Sequence, residues 1–485
     1  MRVVDHLLST TVLRGSYGAS QQGKEYCHFW EKTMDRKTLF AAASTLALAA
    51  FVGSAQGQGK PDNLDAGGKP CAGVLDDEKN CLDPSITRNT ADRPYRGRTY
   101  DAKTYQPSQM PHFVRKGQEL IYIATPGGLS DDEDSGVYNG EGIIVLNPAA
   151  NYAFVKRIPV QNLPASMKPE EVSAMMISPA TNYAYISTRG HLIALDLATD
   201  KVVWSKTYDP INTCCERGAV TPDGLTLEVG SNLQNYHRVI DARTGDLKGI
   251  IPTPQSPNNH NMVMSPDGKT VFNAPNGVTL TVASMETMKP IKTITFSDHV
   301  RPLVINWDAS RIYANLNNLL GFEIADVKSG KVIKRVEVPG EMWKAKWADP
   351  NQVFFGHGAP MHAIGLTPDE SELWIGDAIN NQLLVFDNEG QDNWKLNMTK
   401  ALKLDHPADW ITMGLDGKRA FLSSGDVVDV KTHKVVGKLR DEYGHLIHSE
   451  KFLDVQFDDK GHVTRVVNQF ANGVPEAVKR RTASK

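Results

Sequence analysis

The chain repeats itself, and that limits what it can fold into more than any other feature. A turn of the form Ser/Thr-Pro-Asp-Gly closes a short apolar strand at Thr221-Pro222-Asp223-Gly224 and again at Ser265-Pro266-Asp267-Gly268. Looser copies stand at Ser178-Pro179, Asn306-Trp307-Asp308, Thr367-Pro368-Asp369 and Gly414-Leu415-Asp416-Gly417. Proline presets φ at one turn position, and Asp or Gly tolerates the next. A second marker, Asp-x-x-Thr/Ser-Gly-Lys in whole or decayed form, follows at 196–201, 241–245, 326–331 and 429–432, with degenerate copies at Asn147, Ser284 and Asp387. The unit recurs roughly every 43 residues, apart from one longer step that carries an insertion at 342–358.

Short β-branched and aromatic strands lie between the markers, as at Tyr183-Ala184-Tyr185-Ile186 and Val202-Val203-Trp204. Such a unit cannot bury its apolar face alone, so copies must stack or close. The pattern predicts an all-β fold over 115–475, a seven-bladed β-propeller with four antiparallel strands per blade. A stack of two-sheet sandwiches is the alternative, and the regular unit length argues against it. Segments 451–457 and 462–470 are expected to help close the ring, which removes an exposed strand edge. Residues 58–114 read as a polar, irregular arm.

The N-terminus reads as an address. The only long apolar run, 39–52, is shorter than the roughly 20 residues of a membrane span. It follows Arg36-Lys37 and gives way to Gly53-Ser54-Ala55-Gln56-Gly57, the layout of a secretory signal peptide. The expected start is Met34, with 1–33 an upstream extension, 34–57 the signal and cleavage after Ala55 or Gly57. The mature chain is then periplasmic or secreted, with no membrane span. The whole sequence has 53 Lys+Arg against 56 Asp+Glu, a net charge of −3, which argues against a nucleic-acid partner. Of five Cys, Cys27 leaves with the leader. The remaining even number suits disulfides in an exported chain, with Cys71–Cys81 and the adjacent Cys214–Cys215 as pairs.

In a propeller, the first strand of every blade lines the central channel. Counting back five positions from each turn gives Ser173, Glu216, His260, Arg301, His362 and Asp409, where strand interiors should be apolar. His299 and His406 lie just upstream of two of them. Imidazole and carboxylate from several blades at one mouth suit a metal or acid–base site, with His260, His299, His362 and His406 as metal ligands. His260, Arg301, His362, Asp409 and Glu216 are the catalytic candidates, and Arg301 would suit an anionic group. Polar residues in a water-filled funnel can equally be solvated. His237, His433, His445 and His462 fall at turns or outer strands and are expected at the surface. The insertion, with Trp343, Trp347, Phe354 and Phe355, is a candidate lid or a plug between blades.

These repeats make the chain resemble the YVTN-type propellers of bacterial exported proteins, in the same broad superfamily as the quinoprotein amine dehydrogenase and nitrous oxide reductase propellers. A local stretch, His191 to Trp204 followed by Cys214-Cys215-Glu216-Arg217, also resembles soluble quinoprotein alcohol dehydrogenases. In that family a vicinal disulfide and an Arg contact the cofactor PQQ, which implies Cys214, Cys215 and Arg217 as cofactor-binding residues here. The match departs from the family in the spacing of Arg217, in blade number and in lacking its Ca²⁺-ligand and catalytic-Asp motifs. A purely structural vicinal disulfide is therefore preferred over PQQ.

No G-x-S-x-G, P-loop, G-x-G-x-x-G or C-x-x-C-H motif is present. Three functions stay open for a small-molecule partner. The first is a metal- or quinone-dependent oxidoreductase, with copper ahead of PQQ or Ca²⁺. The others are a non-catalytic binding or scaffold propeller, and a metal-assisted lyase or lactonase.

Overall fold

The computed structural model describes residues 117–467, with two short strands at Pro94–Tyr95 and Arg98–Thr99. Left out of that span are 127–140, 159–171, 209–214, 255–258, 339–358, 389–394, 397–399 and isolated positions that include Glu216 and His445. The signal segment, most of the arm, Cys71, Cys81, Cys214 and the 342–358 insertion thus lie outside the described residues.

Seven antiparallel sheets form a β-propeller. Blade 1 joins the two ends of the described chain: Phe452–Phe457 is its inner strand, followed outward by Glu119–Pro126, Glu141–Asn147 and Ala153–Ile158. Val463–Val466 adds a fifth strand on the other side of Phe452–Phe457. Blades 2 to 5 each take four consecutive strands, with inner strands Val172–Ser178, Gly218–Val220, Asn259–Met264 and Val300–Ile305. Blade 6 begins at Met361–Leu366, and two short pieces, Lys395–Leu396 and Leu402–Lys403, share its outer edge. Blade 7 begins at Ile411–Met413.

Burial falls outward along each blade. The inner strands Val300–Ile305 and Met361–Leu366 are buried throughout, whereas the outer strand Lys331–Glu337 alternates with solvent. Exposed Ile291 and Ile333 on outer strands are flanked by Lys289, Lys292, Lys331 and Lys334, charges that discourage edge-to-edge pairing.

The markers that reveal the repeat also make its turns. Ser265 Oγ donates to Asp267 Oδ1 at 2.6 Å, which in turn accepts from Lys269 N at 3.0 Å. Gly268 closes the turn at φ +71, where its Cβ-free backbone also clears Pro222 of the previous blade. Thr221 and Asp223 repeat the device at 2.6 Å. At the second marker, Asp326 and Asp429 accept from the backbone of Ser329 and Thr432 at 2.7 and 2.8 Å. The hydroxyl bonds of Thr221, Ser265, Ser329 and Thr432 hold these four carboxyls below the usual Asp value of 3.8.

Ring closure rests on the pairing of Phe452–Phe457 with Glu119–Pro126, Leu120 opposite Val455 and Tyr122 opposite Leu453. Asp454, on the closing strand, accepts from Leu415 N of blade 7 at 2.8 Å. Burial, then the charge of Glu119, pushes the Asp454 carboxyl up to about 8, so the two carboxyls share a proton near neutrality.

These shifts act on opposite limbs of the stability curve. The turn carboxyls have lowered folded values, so their contribution is present above 3.8 and lost as pH falls through those values. The closing-strand acid has a raised folded value, so its contribution is lost as pH rises toward about 8. Melting temperatures across this range should therefore fall at both ends. Asp454→Asn should flatten the alkaline limb, and Asp→Asn at 223, 267, 326 and 429 together should flatten the acid one. An unchanged alkaline slope in Asp454→Asn would contradict the shared proton.

Candidate functional site

The first strands carry a defect at a recurring place. The ladder slips between Val172 and Ala174, Asn259 and Asn261, Val300 and Leu303, and Met361 and Ile364. The residues inside those slips are Ser173, His260, Arg301 with Pro302, and His362 with Ala363. A bulge leaves its extra residue out of the ladder and re-aims the side chain, so the backbone itself presents this set.

His362 reaches partners from other blades. His362, at 1% exposure, places Nδ1 3.0 Å from the carbonyl of Asp409 at the head of blade 7. A carbonyl only accepts, so Nδ1 carries the proton and Nε2 is the basic nitrogen of the neutral ring. The same Nδ1 lies 3.5 Å from Glu450 Oε1. Arg217, which leads into the inner strand of blade 3, donates through Nη2 to Glu450 Oε2. The Lys451 ammonium lies 3.9 Å from the same oxygen. The Arg217 guanidinium sits 4.2 Å from the Trp410 ring centroid, and the His362 ring 6.4 Å from it. Arg301 of blade 5 donates through Nε to Asn317 Oδ1 at 2.5 Å and feels the Glu450 charge. Burial pulls its pKa down to about 10, which still leaves it cationic at neutral pH.

The segment that supplies the Asp409 carbonyl and Trp410 is fixed from two sides. Ser423 Oγ accepts from the backbone N–H groups of Asp409 and Trp410 at 2.6 and 3.1 Å. A Cβ on Gly376 of blade 6 would stand 2.1 Å from the Ala408 carbonyl, so only glycine lets that segment approach.

Two expected ligands, His299 and His406, have neighbours of their own. His299 is 47% exposed and pairs with Asp298 at 2.9 Å. His406 packs against His448, their ring centroids 5.6 Å apart. His260 is half-buried on its bulge. Cys215 is fully buried in an apolar cluster with Met176, Tyr185 and Val229. Glu216 and Cys214 lie outside the described residues. Among the described residues, no three His, Cys, Asp or Glu side chains come together as a metal site. His237, expected at the surface, is instead buried between strands with Nδ1 2.7 Å from the buried Glu228. Its sequence position gave a turn, whereas register pairs it with Gly230 on the inward side of blade 3. His433 is also drawn in, 2.9 Å from Glu372, while His462 does remain 60% exposed.

Sequence reasoning missed Glu450, Lys451 and Trp410. The signal was present in the turn Asp458-Asp459-Lys460-Gly461, closed by Gly461 N to Asp458 O at 3.0 Å, as Gly268 N closes on Ser265 O at 2.8 Å. Counting back five from Asp458 reaches Leu453 in the closing strand, and Lys451 and Glu450 stand two and three residues further upstream.

No protein-family model matches the chain, and a search of curated proteins returns no match to it.

The Arg217–Glu450 pair is almost wholly buried, so removing one partner strands the other charge. Glu450→Ala should cost about 3–5 kcal/mol, read as a lower urea midpoint, and Glu450→Gln should cost less because an acceptor oxygen remains. A loss below about 1 kcal/mol for the alanine variant is what a solvated surface bridge would give and would refute this account.

Proposed function

We propose that the protein is an exported propeller that binds a small molecule at the head of its central channel, with His362 and Glu450 as the acid–base pair of that site. The supporting observation is the convergence of Arg217, His362, Trp410 and Glu450 from different blades on one buried point. Among the open readings, a metal-centred oxidoreductase needs three or four donors around one ion. The described residues supply no such group, so the small-ligand reading fits them better. His362 is suited to proton transfer because its tautomer is fixed by the Asp409 carbonyl and Glu450 lies beside its protonated nitrogen. Trp410, 2% exposed, backs the site by carrying the Arg217 guanidinium on its ring. Export rests on the basic, apolar and small-residue succession at 36–57.

A thermal-shift screen of small metabolites against the mature protein tests the site. At least one compound class should raise the melting temperature in a concentration-dependent way. The same compounds should act about tenfold more weakly on His362→Gln. A screen without stabilising compounds, or one whose compounds act equally on His362→Gln, would remove the channel head as the site.

The Cys214–Cys215 disulfide belongs to the same reading, since adjacent thiols in an oxidising compartment are each other's nearest partner. Non-reducing mass spectrometry should show one peptide about two daltons light, the mass of the two thiol hydrogens lost on oxidation. A bridge from either residue to Cys71 or Cys81 would overturn it.

A further inference from the structure

We infer that the ligand of the channel head is a small carboxylate, bound by the guanidinium groups of Arg217 and Arg301, with Trp410 as the platform that holds Arg217. The inference rests on the channel-head reading above and adds the ligand's chemistry to it. Arg217 is 1% exposed, and only its Nη2 has a hydrogen-bond partner. Its Nε and Nη1 are buried and make no hydrogen bond. Buried guanidinium donors without acceptors are costly, and protein interiors rarely leave them so. Nε and Nη1 lie on separate edges of the guanidinium, each shared with Nη2, so beside the Glu450 bond each edge keeps one charge-assisted donor for a ligand oxygen. The face of the guanidinium lies on Trp410, which fixes its plane.

Arg301 supplies the second cation. It is 8% exposed, bonds one amide oxygen through Nε, and projects from a bulge. The charges nearest this set are Lys451 and Glu450 within it, Asp298 beside Arg301, and Asp409 at the head of blade 7. Glu450 is the one carboxylate that both Arg217 and Arg301 feel, and it covers only part of the Arg217 donor set. It also lies within 3.5 Å of His362 and 3.9 Å of Lys451, so it keeps partners when a ligand carboxylate shares Arg217. A neutral ligand would leave the Arg217 edge unmatched, and a metal cation would face two guanidinium groups.

The test uses the mature protein, with formate, acetate, pyruvate and oxalate as probes against acetamide and oxamide, and with sulfate and chloride at matched ionic strength. Isothermal titration and thermal shift should show at least one of the carboxylates binding, with acetamide and chloride inert. Arg301→Gln should weaken that carboxylate about 10- to 100-fold, the range of a charge-assisted hydrogen bond. Arg217→Lys, which keeps the charge and loses the Nε and Nη1 donors, should weaken it as well. Lys418→Gln, at a turn on an exposed side chain, should leave it unchanged. Far-ultraviolet circular dichroism and the unliganded melting temperature show whether each variant is folded, and Arg301→Gln carries the result if Arg217→Lys does not fold.

Carboxylate binding undiminished in folded Arg301→Gln would overturn the inference. So would acetamide binding as well as acetate. In either case a ligand still weakened by His362→Gln leaves the channel head standing as the site. Absence of binding by every probe overturns the carboxylate inference, and the wider metabolite screen then decides the channel head separately.

Discussion

The structure depends on one pairing, that of Phe452–Phe457 with Glu119–Pro126. Without it blade 1 loses its inner strand, and the ring opens with two strand edges exposed. Most of the bond between the ends is backbone ladder, reinforced by Ser449 Oγ, which donates to the Ala124 carbonyl at 2.6 Å across 325 positions of sequence. Closing so long a loop is less costly than its length suggests, because the entropy grows only with the logarithm of loop size. The same closure brings Glu450 and Lys451, at the foot of the closing strand, to the channel. The ring and its central charge cluster are therefore made by one event.

Closure then dictates what the centre can contain. Inner strands from all blades crowd one axis, and a side chain on a regular ladder there faces a neighbouring blade. The bulges at Ser173, His260, Arg301 and His362 break that regularity at the same height in four blades. Once turned out of the ladder, a polar side chain must find new partners. His362 finds the Asp409 carbonyl and Glu450 in other blades, and Arg301 finds Asn317 within its own. Glu450, His362, Arg217 and Trp410 meet from four blades, so the network ties blades 1, 3, 6 and 7 together.

The fold was legible because turn chemistry is local. Ser265 and Asp267 bond each other within one turn, and the pattern that does so is visible in four consecutive letters. The lining of the channel was legible in part for the same reason, since a fixed count from a turn lands on the bulge. What the count could not show was pairing between blades. Glu450 acquires its role from Arg217, 233 positions away, and the turn that follows its strand does not name that partner. His237 shows the opposite error: its position beside a turn suggested solvent, but the burial of its side chain is set by Glu228 on the next strand and Asn273, which donates to that Glu at 3.0 Å from the neighbouring blade. Residues fixed by register or by contact across the ring are the ones sequence patterns leave undetermined.

Stability alone is a poor reason for the polar centre. A buried ion pair recovers in attraction roughly what desolvation costs it, and an apolar replacement of similar volume is often neutral or stabilising. The surrounding strands, with Ile411, Val300 and Met361 fully buried, show that apolar side chains fit this level of the ring. Arg217 goes further than a balanced pair, because it leaves two guanidinium nitrogens without acceptors in a dry place. A Met or Leu at that position would still pack on Trp410 without that cost. The features that remain to be explained are the two unmatched Arg217 donors, the fixed plane of its guanidinium and a second cation on a bulge. Each is costly for folding and useful for holding an anion, which places the reason for them in recognition rather than in the stability of the ring.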